Sequence, residues 1–246
     1  MTKNKYPSVK NLKEQQYKKI VREIFTTITP RYDFLNHLTS LGFDYWWRKK
    51  AVQSMRFGQM NRLLDVATGT ADIIIRARKK HPHIKAIGAD LVFPMLKRAQ
   101  TKTSAAAFCR ADALSLPFKD NSFDVTVIAF GMRNITDHKT ALKEMKRVTS
   151  DRGMVIVLEM ALPSARCLRT LLAFYMSRVI PPTARKFSPN PAAYDYLIDS
   201  IKNFPQPPSF METMRQGGLV RISHKQLFMG ICHLYTARIA KSTKSA

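Results

Sequence analysis

The chain has 246 residues, 45% of them hydrophobic, which suits one large α/β domain or two small ones with a sizeable buried core. Lys and Arg total 41 against 17 acidic residues, a formal net charge of +24 that draws a protein towards polyanions, either nucleic acid or an anionic membrane surface. The polar, basic N-terminus argues against a signal peptide and the apolar runs are too short to cross a bilayer; three scattered cysteines (Cys109, Cys167, Cys232) argue against a disulfide framework or a structural zinc site, leaving a reducing cytoplasm as the expected location. The basic residues are spread along the whole chain, so a general basic bias accounts for the charge about as well as a binding surface does.

Residues 11–28 set Leu12, Ile20, Val21, Ile24 and Phe25 among Lys, Glu and Gln, which predicts an amphipathic helix. Aromatic-rich stretches at 31–36 and 42–48 predict short helices over a cleft, completing an N-terminal helical lid across 1–58. From residue 62 the pattern turns to strands. The first, 62–67, runs into the small-residue turn Thr68-Gly69-Thr70-Ala71 and a helix over 73–78. A strand at 85–90 ends in Asp90, Pro94 starts a helix through Gln100, and a strand at 106–110 ends near Asp112. A fourth strand at 123–129, a helix at 138–149, a turn at 150–153 and a strand at 154–159 complete a core over 61–160. A helix-rich insertion follows over about 164–216. Within it 168–176 mixes apolar bulk with basic flanks, as interfacial helices do, although ordinary core packing accounts for it at least as well, and the pairs Pro181-Pro182 and Pro207-Pro208 read as loops. Apolar segments near 219–227 and 230–239 predict a closing antiparallel hairpin. Alternating strands and helices predict a parallel sheet with right-handed crossovers, and no domain boundary interrupts 1–246.

The turn after the first strand lets a ligand approach the backbone closely, and the next helix supplies free N–H groups. Its single glycine, Gly69, falls short of the GxGxxG that seats a dinucleotide pyrophosphate. Asp90 suits the two hydroxyls of a ribose, and Asp112 suits the exocyclic amine of an adenine with the Ala113 N–H beside it. A cap or turn role for any one of these aspartates alone is the bland alternative. Three features at three consecutive strand ends point to one ligand in the crevice where doubly wound sheets bind theirs.

Asp65-Val66-Ala67-Thr68-Gly69-Thr70-Ala71-Asp72 resembles the first motif of class I methyltransferases, and Leu116-Pro117-Phe118 through Phe123-Asp124 resembles their LPF-x-D-x-x-FD segment. Phe130-Gly131-Met132-Arg133-Asn134 resembles the FG-hydrophobic-RN signature of the ubiquinone/menaquinone biosynthesis C-methyltransferases. Tyr32-Asp33-Phe34-Leu35-Asn36, Trp47-Arg48, Leu158-Glu159 with Pro163, and Tyr194 through Ile201 resemble further elements of that family, so the likeness covers roughly 20–239. It implies an α/β, Rossmann-like class I methyltransferase fold: a seven-stranded, mostly parallel sheet with helices on both faces and a closing antiparallel strand. It implies S-adenosylmethionine as methyl donor, with no metal, held by Asp65, Gly69, Thr70, Asp90, Asp112, Ala113 and Ala129. Where some members carry a serine just before the FG step, this chain has Ala129, and Asp112 stands where the family often has asparagine.

The implied reaction is C-methylation of demethylmenaquinol or the related ubiquinol precursor, with the Gly-Thr-Ala-Asp form of the first motif leaning towards menaquinone. Arg133 is the expected stabiliser of the ring phenolate, Asn134 the residue orienting its hydroxyl, and Tyr32 and Asp33 the groups assisting proton removal. The implied partner is a membrane-embedded prenylated quinol, with an anionic membrane surface beside it and a peripheral position on the inner face; self-association stays open. Nucleic acid is not expected, since RNA methylation, suggested by the charge alone, lacks an NPPY-type or Cys-nucleophile motif here. Methylation of another small molecule, and a non-enzymatic scaffold of the same fold, stay open as well.

Overall fold

A strand covered on both faces must be apolar nearly throughout, and the central strands obey this. β1 (Arg62–Val66) is buried from Leu63 onward and β4 (Phe123–Ala129) from Phe123 to Ile128. The structure, a computed structural model, describes residues 14–179 and 192–240. Seven strands form one sheet in the order β3-β2-β1-β4-β5-β7-β6, with β2 Lys85–Asp90, β3 Ala106–Arg110, β5 Thr149–Met160, β6 Leu219–Leu227 and β7 Cys232–Ile239. β1 to β5 are parallel neighbours, whereas β7 enters antiparallel between β5 and β6. The chain steps outward from β1 to β3 and then returns to β4 beside β1. That reversal opens a crevice at the carboxyl ends of β1 and β4.

Alternation along the strands feeds two cores. Leu63, Val125, Val127, Ile156 and Leu158 face α3 (Phe43–Ser54) and α4 (Asp72–Lys80); Leu64, Val66, Val155 and Val157 face α6 (His138–Val148) and α9 (Pro207–Gln216). Each such Leu or Val contributes about 1.5–3 kcal/mol on full burial. α6 starts cleanly because the Asp137 side chain accepts from Thr140 N at 2.9 Å. α5 (Phe93–Lys102) begins at a proline, as expected.

The lid and the insertion pack on each other above the crevice. Tyr17, Val21 and Ile24 of α1 (Glu14–Ile28) meet Ala193 and Tyr196 of α8 (Ala192–Asn203). Leu35 of α2 (Tyr32–Thr39) meets Leu172 of α7 (Arg166–Phe174), together with Met176, Ile198 and Ile201.

Two local expectations are corrected. The turn expected at 150–153 is absorbed into β5, whose register against β4 jumps from the Phe123–Thr149 pair to the Val125–Met154 pair; the Thr126 and Thr149 hydroxyls, 2.6 Å apart, anchor the irregularity. Pro207-Pro208 opens α9 instead of forming a loop, because a first-turn proline loses no helical hydrogen bond. Pro181-Pro182 and Leu12 lie outside the described residues.

Candidate active site

The crevice is shaped by strained backbone at two adjoining strand ends. Ala67 after β1 and Phe130 after β4 both take positive φ, 52° and 59°, a conformation costing non-glycine residues about 1–3 kcal/mol and concentrated at functional sites. Gly131 lets the two loops close up, since a Cβ there would sit 2.7 Å from the Ala67 Cβ. Gly69, at φ 55°, turns its N–H to Asp90 Oδ2 at 2.8 Å, and Asp90 Oδ1 accepts from Val92 N at 2.8 Å. Burial raises the Asp90 pKa against the pull of those N–H groups. Each carboxylate oxygen keeps a lone pair for a further donor, which suits a vicinal diol.

A cavity of about 100 Å³ joins the strand ends and is lined by Gly69, Asp90, Asp112, Ala113, Ala129 and Asn134, with Phe130 and Tyr32 among its other walls. Five of the seven expected donor contacts therefore share one space. Asp65 and Thr70 do not line it. Asp65 is buried beneath the loop, accepts from the Thr68 hydroxyl at 2.6 Å, and is pushed up to about 7 by burial, with Asp90 adding to the rise. The Thr70 hydroxyl turns the other way and donates to Asp33. The cavity is well below the ~300 Å³ or more of a typical ligand pocket because α1 lies over it. Tyr17, Lys18, Val21 and Phe25 form its roof, and the Lys18 ammonium sits 2.7 Å from Asp112 Oδ2.

Asp33 lines neither this cavity nor the apolar cleft beyond it. Its carboxylate takes the Thr70 hydroxyl and, at 3.0 Å, Lys102 Nζ. Lys102 also reaches Asp72 at 2.7 Å; Asp72 lies 3.5 Å from Arg48, which pairs with the buried Asp44. Although burial acts the other way, Arg48 and Lys102 together hold the Asp72 carboxyl below its usual range. Through these contacts Asp33 ties α2 to the first loop of the sheet.

Beyond Tyr32 opens a cleft of about 440 Å³, mostly apolar, walled by Phe43, Trp47, Leu172, Met176, Phe228 and Ile231 among others. Tyr32 and Phe130 line both this cleft and the strand-end cavity, and Arg133 lines the cleft. The Arg133 guanidinium pairs with Glu159, which is fully buried at the end of β5, and the Arg133 N–H donates to Glu159 Oε2 at 3.1 Å. Burial disfavours the Arg133 charge, but Glu159 and the neighbouring Tyr32 and Tyr196 hold its pKa above the usual value. Arg133 Nε is buried with no partner among the described residues. Asn134 Oδ1 accepts from the Tyr196 hydroxyl at 2.9 Å, and Tyr17 stands 2.8 Å behind Tyr196. Burial raises both tyrosines, and Tyr32 too, so all three stay protonated near neutrality.

Sequence reasoning missed Glu159, Tyr17, Tyr196, Lys18 and Lys102 as parts of the site. Glu159 and Tyr196 carried a signal, an acid at a fifth strand end and a tyrosine within a family motif; the two lysines carried none.

A sequence profile described as the ubiE/COQ5 methyltransferase family matches residues 9–238. The chain belongs to the ubiE/COQ5 methyltransferase family. Membership makes it a methyltransferase, and the relatives agree. The "Ubiquinone/menaquinone biosynthesis C-methyltransferase UbiE" of Geobacter sulfurreducens is 36% identical over 88% of this chain and 87% of its own length. The "Demethylmenaquinone methyltransferase" of Deinococcus radiodurans is 37% identical over 87% of this chain and 90% of its own. Among solved structures, an S-adenosylmethionine-dependent methyltransferase of Thermotoga maritima superposes with a TM-score of 0.64 at 20% identity, covering 88% of this chain and 98% of that one. That likeness shows the class I methyltransferase fold, as the ubiE/COQ5 family requires.

Proposed function

We propose that this chain transfers a methyl group from S-adenosylmethionine to a ring carbon of demethylmenaquinol or the related ubiquinol precursor. The observation carrying this reading is that Tyr32 and Phe130 wall both the strand-end cavity and the apolar cleft, so donor and acceptor spaces meet at those two side chains. The residues present fit the donor: Asp90 offers two oriented acceptors to a ribose, and Asp112 with Ala113 stands at the position for an adenine. When bound, the donor supplies a sulfonium methyl for in-line displacement.

The chain's own residues then have defined tasks. Tyr32 and Phe130 hold the acceptor ring at the junction, an alignment worth several kcal/mol. Arg133, kept charged by Glu159 and with its Nε still unpaired, stabilises the oxyanion as the ring hydroxyl loses its proton. Asn134, its amide oriented by Tyr196, positions that hydroxyl. Held by Asp90, Asp112 and Ala113, the donor would supply the methyl to the ring carbon, whose own proton would then pass to solvent water while the ring oxygen regains one.

The apolar cleft suits a prenyl tail. Leu41, Leu171 and Met229 line it yet are 69%, 65% and 67% exposed, which supports a mouth facing a lipid surface. Among the described residues no helix is long and apolar enough to cross a membrane. Purified protein incubated with donor and a reduced demethylated quinol should give a product one methyl heavier, and deleting the gene should leave the lighter quinone in cells. Donor binding without methylation of either quinol would sink the substrate assignment.

A further inference from the structure

Away from the active site, a groove of about 430 Å³ runs between α3 and the β6–β7 edge of the sheet. Five cations line it and no carboxylate does: Lys50 of α3, Arg56 just after it, Arg221 and Lys225 of β6, and Arg238 of β7. At the active site the cations are neutralised, Lys18 by Asp112, Lys102 by Asp33 and Asp72, Arg48 by Asp44 and Arg133 by Glu159. None of the five groove cations has an acidic partner among the described residues. Their fixed contacts are to neutral groups: Arg56 donates to the Gln53 and Met55 carbonyls at 2.9 Å, Arg238 to the Arg152 carbonyl at 3.3 Å, and Lys50 lies over the Trp46 ring. Such contacts position a charge without cancelling it.

The backbone is also bent at this place. The register between β6 and β7 shifts between Val220 and Ser223, and Arg221 inside the irregularity takes φ 49°. A bulge of this kind re-aims a side chain, here an arginine in a groove already holding four cations. Like charges lining one groove repel one another, and a bound multivalent anion offsets that repulsion. The Ser223 and Thr236 hydroxyls in the same lining add neutral donors for anionic oxygens.

We propose that this groove is a binding site for a multivalent phosphate group, of the pyrophosphate or phosphate-monoester class, bridging α3 to β6 and β7. The proposal is independent of the quinol assignment. Because α3 carries Trp47 and Arg48 into the apolar cleft, an anion bound here clips a wall of that cleft to the closing strands.

The test is calorimetric titration of the full-length protein with inorganic pyrophosphate, alongside R221E/K225E and a control pair on α6, K139E/K143E, whose exposed side chains carry the same change of net charge. The expected result is saturable binding at one site per chain, weakened about tenfold or more by R221E/K225E and left nearly unchanged by K139E/K143E. The single neutralisation K225Q, at an exposed strand position, gives a smaller loss and serves if the double reversal does not fold. Flotation with phosphatidic acid vesicles, against phosphatidylcholine alone, separates the sources. Vesicle binding that pyrophosphate displaces and R221E/K225E abolishes identifies a lipid headgroup, whereas pyrophosphate binding that the vesicles do not compete for identifies a soluble ligand. Absence of saturable binding, or equal weakening by both charge-reversed pairs, overturns the proposal.

Discussion

The Lys18 ammonium of α1 lies 2.7 Å from the Asp112 carboxylate at the end of β3, so the lid occupies the acceptor that an adenine amine would use. Both side chains are about 30% exposed, which puts the pair in the range of ~0.2–1 kcal/mol. On the proposed donor assignment, the adenine amine competes with Lys18 for this carboxylate. K18A should bind S-adenosylmethionine up to about fivefold more tightly by calorimetry, with its melting temperature nearly unchanged. Weaker binding by K18A would mean that the lysine helps to hold the donor.

Asp90 accepts from both Gly69 and Val92, and its removal strands two N–H groups in a buried site. D90A should lose donor binding and lower stability by roughly 1–3 kcal/mol per orphaned group. D90N, keeping the shape and one acceptor but turning its NH2 towards the other N–H, should recover about half of the stability and little of the affinity. Denaturant melts and donor titrations of the two variants distinguish these effects.

Arg133 and Glu159 separate catalysis from stability. R133A leaves the Glu159 charge buried and unpaired, at a cost of about 3–5 kcal/mol, so its inactivity alone is ambiguous. The double variant R133A/E159Q removes that charge and should fold about as well as the wild type. Its turnover should still fall by about 10²–10³ while donor affinity holds. Near-normal turnover in the double variant would contradict the role given to the guanidinium.

Asp65 makes a signed pH prediction. Burial pushes its folded carboxyl to about 7, whereas an unfolded aspartate titrates at about 3.9. Between those values the folded state holds more protons than the unfolded one, so this group's contribution to stability falls as pH rises towards 7 and is level above it. D65N lacks that dependence. Unfolding free energies of both proteins from pH 4 to 8 should show the wild type losing ground to D65N by on the order of a few kcal/mol, mostly below pH 7. A constant difference across that range would contradict the assignment.

Tyr196 tests the orientation of Asn134. Y196F removes the donor to Asn134 Oδ1 and breaks the chain that begins at Tyr17. Turnover should fall by about tenfold and donor binding by less, since Tyr196 itself does not line the strand-end cavity although Asn134 and Tyr17 do. Single-turnover kinetics at saturating donor measure the difference.

Much of this molecule is decided by short-range pattern. Short, mostly apolar runs at 62–66, 85–90, 106–110 and 123–129 specify the strands, because strands covered on both faces of a parallel sheet are apolar nearly throughout. Asp90, the last residue of β2, and Asp112, two residues past the end of β3, are legible for the same reason: once the strands are placed, the residues at their carboxyl ends border the crevice. Tertiary structure alone decided where the side chains between elements turn. Thr70 sits in the expected loop, yet its hydroxyl goes to Asp33, 37 residues away. Tyr196 reaches Tyr17 across 179 residues, and Arg133 finds its counter-ion on a different strand. Burial forces each of these polar groups to find a partner, and which partner is available depends on how the lid and the insertion pack together, something periodicity does not encode.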